Sequence, residues 1–218
     1  MKLLVISPHP DDETLGACGT VMRLAAQGVE AMWLNVTNMK TDYGYSAQRV
    51  ESRAEEIQQV KKATGYSKFY DLGLKPAALE TYAKEEIIRR MKEVFDDVRP
   101  ELVFLPSPYD VHSDHRTVYE CAFACTKAFR APYIRKVLCM EIVSETDYGD
   151  KPFPANCFVD VSAFIEKKLN ICGIYQSEFL PPPFPRNREA IRAQARYRGA
   201  ACCSEYAEAF QIVKEIIL

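Results

Sequence analysis

The stretch "KLLVISPHPDDETLGACGTVMRLAAQG" (residues 2–28) predicts the first βα unit of an α/β protein. Residues 2–7 are the continuous apolar run of a buried strand. Residues 13–28 are typical of a helix that ends at Gly28, since glycine is favoured just beyond a helix end. Two glycines within this helix lower its intrinsic propensity, but they allow its first turns to lie close to a sheet. Between the strand and the helix the chain places one histidine and three acids.

The same alternation of short apolar runs and longer amphipathic segments continues to about residue 150 and then loosens. It predicts βαβ units, and therefore an α/β fold with a mostly parallel sheet that helices cover on both faces. The length of 218 residues suits a single domain over 1–218. Further strands are predicted at 30–37, 68–73, 101–106, 136–143, 156–162 and within 206–218, and further helices at 46–64, 85–100, 112–129, 163–178 and 187–203.

Composition and charge exclude several partners and compartments. The net charge of −2 predicts no long basic face, so nucleic acid is not an expected partner. The apolar run before Pro8 is too short for a signal peptide, and no apolar run approaches the ~20 residues of a membrane span. The eight cysteines lack the spacing of a secreted disulfide framework, which indicates reduced thiols in a cytoplasmic protein. Cys121 and Cys125 share a helix face in apolar company, which favours packing over a metal site.

Polar side chains follow the predicted parallel strands at their carboxyl ends. His9, Asp11 and Asp12 follow the first strand, Asp71 lies at the end of the third, and the segment 109–115 follows the fourth. In open α/β sheets, ligands bind in the crevice outside the carboxyl ends of the strands. All three histidines of the chain belong to these clusters. The sequence therefore predicts a single site at this edge of the sheet.

Each cluster alone has an ordinary explanation. Asp11 or Asp12 could cap the following helix, and His112 and His115 could be solvent-exposed residues on one helix surface. Together, a histidine and a carboxylate from one loop and a histidine from another make a His₂Asp set, which is a catalytic zinc arrangement when water is the fourth ligand. The positive ion would also offset the repulsion among neighbouring acids. Adjacent acids usually point in different directions, so one of Asp11 and Asp12 would bind the metal and the other would serve the water.

At these residues the sequence resembles the LmbE-like, or PIG-L, family of N-acetylglucosamine deacetylases. The segments "PHPDDE" (8–13) and "HSDH" (112–115) match the family's two metal-site motifs in the right order. "SRAEE" (52–56) is similar to the family's Arg-x-x-Glu helix, and "YDLG" (70–73) is similar to a sugar-contacting segment. "RYRG" and "YAEAF" near the C-terminus resemble family endings, so the resemblance covers nearly the whole chain.

The resemblance implies a Rossmann-like three-layer fold and zinc-dependent removal of an N-acetyl group from an amino sugar. It assigns the metal to His9, Asp12 and His115, and the role of general base to Asp11. A protonated His112, paired with Asp114, would stabilise the oxyanion. A His₂Asp site also accepts ferrous iron. The residues expected to contact substrate are Arg53, Asp71, Tyr109 and Asp110, the last standing where some members have a tyrosine.

Three alternatives stay open at this point. The first is an amidase of the same fold that acts on a different amide, such as a thiol conjugate or an antibiotic precursor. The second is a non-catalytic sugar- or nucleotide-binding protein, although the first βα turn lacks the phosphate-binding GxGxxG pattern. The third concerns assembly, because Tyr43, Tyr45 and the loop "LPPPFP" fit subunit contacts of a homo-oligomer as well as a pocket wall. The arginines between 186 and 198 are interpreted as a solvated helix face.

Overall fold

A computed structural model describes residues 1–217. Leu218, the last residue of the predicted domain 1–218 and of the predicted segment 206–218, lies outside the described residues. The helices are α1 (Asp12–Ala26), α2 (Ala47–Thr64), α3 (Lys84–Val98), α4 (Ser113–Ala124), α5 (Ile165–Cys172) and α6 (Arg188–Ala200). The strands are β1 (Lys2–Ser7), β2 (Glu30–Thr37), β3 (Lys68–Leu74), β4 (Leu102–Leu105), β5 (Lys136–Met140), β6 (Cys157–Asp160) and β7 (Ala207–Glu215).

The strands form one sheet in the order β3-β2-β1-β4-β5-β7-β6. The five strands from β3 to β5 are parallel, while β7 runs antiparallel to both β5 and β6. The chain first adds strands on one side of β1 and then places β4 on the other side, so the order reverses between β1 and β4. The carboxyl ends of these two strands, and the loops that follow them, therefore lie side by side.

Helices cover both faces of the sheet, as the alternation of elements predicts. Residues Leu3 and Val5 of β1 pack into a core with α1, α2, α5 and α6, and Leu4 and Ile6 pack into a second core with α3 and α4. The close approach of α1 to the sheet is confirmed. A Cβ added at Gly16 would lie 2.8 Å from the Cβ of Met140. The mostly parallel, three-layer α/β expectation is confirmed.

The predicted elements differ from the observed ones mainly at their ends. The helices predicted over 112–129, 163–178 and 187–203 end at Ala124, Cys172 and Ala200. The residues beyond these ends form turns closed by local backbone hydrogen bonds. Some of their groups also bond to distant elements, since the Thr126 carbonyl accepts from Lys214 and the Gln176 N–H donates to Glu56, which sequence periodicity does not reveal. All eight cysteines are free, as predicted, and Cys121 and Cys125 are buried in the α3–α4 core. Within residues 1–217, no helix is long and apolar enough to cross a membrane.

A buried ion pair joins α1 to the C-terminal part of the chain. The Nζ of Lys168 lies 2.6 Å from Oε1 of Glu208 and donates to the backbone carbonyl of Leu15. The Glu208 carboxylate also accepts from the backbone N–H groups of Gly19 and Thr20, at 2.9 and 2.7 Å. Both side chains are nearly inaccessible, with 3% and 4% exposure. This pair anchors the helix whose first turn carries the candidate metal site.

We expect Lys168→Met to destabilise the protein strongly, because it leaves the buried Glu208 carboxylate without its cation. Removing one partner of a buried pair costs about 3–5 kcal/mol, or about 6–20 °C in Tm for a chain of this length. Thermal unfolding followed by circular dichroism measures the change. Lys167→Met is the matched control, because Lys167 is exposed on the same helix. Equal Tm values for the two variants would show that the pair has no anchoring role.

Candidate active site

The candidate site lies where the sheet order reverses. One loop follows β1 and carries His9, and α1 begins immediately after it with Asp12. The other loop follows β4 and leads into the first turn of α4, which carries His115. The predicted convergence of the two polar clusters is therefore observed. One ligand atom from each of His9, Asp12 and His115 lies within 4.8 Å of the others.

These three side chains surround a point that suits a divalent ion, which is called the metal point below. His9 Nδ1 lies 3.4 Å from Oδ2 of Asp12, and His115 Nε2 lies 3.3 Å from the same oxygen. Among residues 1–217, Asp12 Oδ1 and His115 Nε2 are buried and have no hydrogen-bond partner. Buried polar atoms are nearly always paired, so two orphaned atoms of ligand type at one point indicate a missing partner. Two histidines and one carboxylate fit zinc or ferrous iron.

A second group has the same spacing, since one ligand atom from each of His9, His112 and Asp114 lies within 4.8 Å of the others. Its carboxylate is already occupied, because Asp114 accepts from His9 Nε2 at 2.9 Å and from the backbone N–H groups of Ala77 and Leu79. The Nδ1 of His112 accepts the backbone N–H of Asp114 at 3.1 Å. Since the Asp114 carboxylate, His9 Nε2 and His112 Nδ1 all have partners, this group is the weaker metal site.

Two carboxylates lie behind the candidate ligands and differ from their predicted roles. Asp110 Oδ2 lies 2.8 Å from Nδ1 of His115, and Asp110 is 1% exposed, so its side chain orients this histidine, and its contact with substrate stays a prediction. Asp114 bonds through its carboxylate to His9, whereas the expected partner was His112. Each carboxylate fixes the tautomer of one histidine and directs the opposite ring nitrogen toward the metal point.

Asp11 faces the cavity beside the metal point in a strained conformation. Its φ of +132° is rare for a residue other than glycine, and such strain concentrates at functional sites. Its backbone N–H donates to the carboxylate of Glu13 at 3.0 Å, and Tyr175 donates to the same carboxylate at 2.9 Å. Burial raises the pKa of Asp11 to about 7, and the Arg186 guanidinium, 2.5 Å away, opposes that rise.

His112 is present in the cavity wall, but its electrostatic state differs from the prediction. Burial, together with neighbouring His9 and His115, lowers the pKa of His112 to about 4. This shift favours the neutral imidazole, whereas the resemblance implied a protonated ring. Its Nδ1 accepts a backbone N–H, so the ring proton is on Nε2 and is free to be donated.

The cavity has a volume of about 220 Å³. Of the four residues expected to contact substrate, Arg53 lines it, while Asp71, Tyr109 and Asp110 are not among its lining residues. The Asp71 carboxylate accepts instead from Asn35, Asn38 and the backbone of Gly73. The cavity lining consists of His9, Pro10, Asp11, Thr37, Asn38, Met39, Tyr45, Arg53, Pro76, Ala77, His112, Glu145, Glu178 and Arg186.

Most of the hydrogen-bond donors of Arg53 are used by other groups of the protein. Its guanidinium donates to the carbonyl of Pro10, to Ser177, and to the carboxylates of Glu56 and Glu178, at 2.9–3.0 Å. Four of its five N–H donors are therefore used, which leaves one for a ligand. Because it holds the backbone of the loop between His9 and Asp11, Arg53 shapes the site as well as lining it.

Three charged residues of the cavity were absent from the sequence-based prediction. Arg186 is bonded to Asp11 rather than lying on a solvated helix face, so that interpretation is wrong for this arginine. Glu145 follows β5 at the same edge of the sheet, so the strand-end rule that found the histidines could have found it. Glu178 and Arg186 flank the loop 180–185, where the sequence indicates a pocket wall or a subunit contact but singles out neither charged residue.

Comparisons with known proteins agree with this geometry. The diacetylchitobiose deacetylase of Thermococcus kodakarensis is 28% identical over 100% of this chain and 85% of its own length. A probable N-acetyl-α-D-glucosaminyl L-malate deacetylase 2 of Bacillus subtilis is 24% identical over 81% of this chain and 82% of its own length. A conserved Thermus thermophilus protein of known structure gives a TM-score of 0.80 at 26% identity, covering 99% of this chain and 96% of that one.

The family model of the GlcNAc-PI de-N-acetylases matches residues 4–126. That range runs from within β1 to the end of α4 and contains both loops that lead to the candidate metal ligands. The match therefore spans more than half of the chain and contains the two motifs on which the resemblance was based. This chain belongs to the PIG-L family.

Proposed function

We propose that this protein is a metal-dependent deacetylase that hydrolyses the N-acetyl group of an N-acetylglucosamine-containing small molecule or glycoconjugate. The observation that carries the proposal is the pair of orphaned ligand atoms on Asp12 and His115, which lie beside a cavity that Asp11 faces. The named activities of the relatives from Thermococcus and Bacillus support the N-acetylglucosamine unit as the substrate class.

His9, Asp12 and His115 would hold zinc or ferrous iron. A divalent ion in such a site supplies a Lewis acid that activates water and polarises a carbonyl group. Zinc is the expected ion, since two histidines and one carboxylate with an open position form a typical catalytic zinc site. The carboxylates of Asp110 and Asp114 would keep the two histidines oriented toward the ion.

Asp11 would move the protons of the reaction. As general base it takes one proton from the attacking water while the water oxygen bonds to the acetyl carbon. The C–N bond then breaks, and the protonated Asp11 gives its proton to the leaving amine, so that acetate and a free amine result. His112 would donate its Nε2–H to the carbonyl oxygen as this becomes negative. One such donor is worth about 3 kcal/mol.

The test is release of a free amine by metal-reconstituted protein. The panel contains N-acetylglucosamine, N,N'-diacetylchitobiose, an N-acetylglucosaminyl malate and an N-acetylated amino acid without a sugar. We expect release from one or more of the sugars and none from the amino acid. Release from the amino acid alone would indicate an amidase for a different amide. Sugar binding without turnover by the metal-loaded protein would indicate a non-catalytic binding protein.

A further inference from the structure

Arg186 connects the C-terminal loop to the candidate base. Its Nη1 lies 2.5 Å from Oδ2 of Asp11, its Nε donates to Ser144 Oγ at 2.7 Å, and its Nη2 donates to Glu145 at 3.0 Å. The side chain is only 16% exposed. A guanidinium held at three points has one preferred orientation, so it presents a fixed donor to Asp11.

The charges around Arg186 argue against its being a receptor for an anionic substrate. Asp11 and Glu145 contact it directly, and Glu178 Oε2 lies 3.7 Å from its Nη1. Three carboxylates already neutralise the guanidinium. A substrate anion would have to displace one of them, which would leave a buried carboxylate unpaired at considerable cost.

The position of Asp11 depends on this contact. The backbone of Asp11 is fixed by its bond to Glu13 and by the start of α1, but that leaves the side-chain torsions free. Among residues 1–217, Arg186 is the one side chain within hydrogen-bond distance of the Asp11 carboxylate. Without it, the carboxylate could rotate within the cavity.

We infer that Arg186 is a positioning residue, which holds the Asp11 carboxylate at the place from which it exchanges protons with water and with the leaving amine. The inference rests on the role proposed above for Asp11. Proton transfer requires hydrogen-bond distance in the reacting complex, and a misplacement of about 1 Å can cost about 10²-fold in rate. The loop between α5 and α6 thus takes part in catalysis through a residue that does not itself react.

Steady-state kinetics with N,N'-diacetylchitobiose tests the inference. We expect Arg186→Met to lower kcat by about 10- to 100-fold and to change KM by less than about twofold, with metal content unchanged. Arg186→Lys should be intermediate, because one ammonium cannot contact Asp11, Ser144 and Glu145 together. Added guanidinium should raise kcat of Arg186→Gly. Arg188→Met is the control, since exposed Arg188 bonds to Glu166 and Asn170 on α5.

Four kinetic outcomes would overturn the inference. An increase in KM without loss of kcat would make Arg186 a substrate-binding residue. An unchanged kcat would remove any catalytic role, and a higher kcat would show that Arg186 restrains the base instead. Failure of guanidinium to rescue Arg186→Gly, when that variant is folded and holds its metal, would indicate a merely structural role.

A spectroscopic measurement keeps the inference separable from the proposed function. If the wild-type protein releases no amine from any sugar, the proposed deacetylase activity fails. The contact is then tested by NMR of the Arg186 guanidinium in the metal-loaded protein. We expect resolved Nη signals in the wild type, because the group is held, and a shifted Nη1 signal in Asp11→Ala, because Nη1 loses its acceptor while Ser144 and Glu145 still hold Nε and Nη2. Identical spectra for the two proteins would show that Arg186 does not hold Asp11, which would overturn the inference without reference to activity.

Discussion

Replacing Asp12 with alanine should remove metal from the protein, whereas replacing Asp11 with asparagine should leave the metal bound and abolish most of the turnover. Three ligand atoms converge at the metal point, and Asp12 supplies the oxygen among them. Asparagine is nearly isosteric with aspartate, but its neutral amide cannot accept a proton from water. General acid–base catalysis contributes about 10²–10⁴-fold, so we expect kcat of Asp11→Asn to fall by that amount with little change in KM.

Elemental analysis and kcat, measured side by side on the two variants, check this prediction. Asp97→Asn is a matched control, because Asp97 is exposed and bonds to Lys68 and Tyr70 away from the cavity. If Asp11→Asn lost its metal while Asp12→Ala kept it, the two roles would be exchanged. If both variants kept their metal and a near-normal kcat, the acids would only cap α1, and the proposed mechanism would be wrong.

Chelation should abolish activity without unfolding the protein. The candidate ligands lie at one edge of the sheet, while two extensive apolar cores on its faces stabilise the fold independently. A chain of this length buries enough apolar surface to fold without a metal, unlike a small zinc domain. We expect about one divalent ion per chain before chelation, loss of amine release afterwards, and recovery of activity on addition of zinc or ferrous iron.

Far-ultraviolet circular dichroism and elemental analysis of the same samples measure both parts of this prediction. The spectrum should change little on removal of the ion. Tm should fall only by the amount that corresponds to the lost binding free energy of the ion. Full activity in protein shown to be free of metal would exclude the metal-dependent mechanism. Unfolding on chelation would assign the ion a structural role instead.

Several structural features were predictable because their causes are local. The apolar run of β1, the amphipathic period of α3 and the glycine after α2 depend on residues close together in the chain. The convergence of the two polar clusters required one further rule, that ligands gather at the carboxyl ends of parallel strands. The choice of Asp12 rather than Asp11 as the ligand came from the family resemblance. The ends of α4, α5 and α6 were less predictable, since the residues beyond them form local turns, some of whose groups bond to distant Lys214 and Glu56.

The sequence by itself determined the α/β class, the edge of the sheet that carries the site, and the residue types that could hold an ion. Only the tertiary structure decided which partner each polar side chain takes. Asp114 bonds to His9, 105 residues away, rather than to nearby His112, and Arg186 bonds to Asp11 across 175 residues. Spacing along a helix limits which neighbours can meet, but a buried charge takes the partner that packing places within hydrogen-bond distance, because leaving it unpaired costs several kcal/mol.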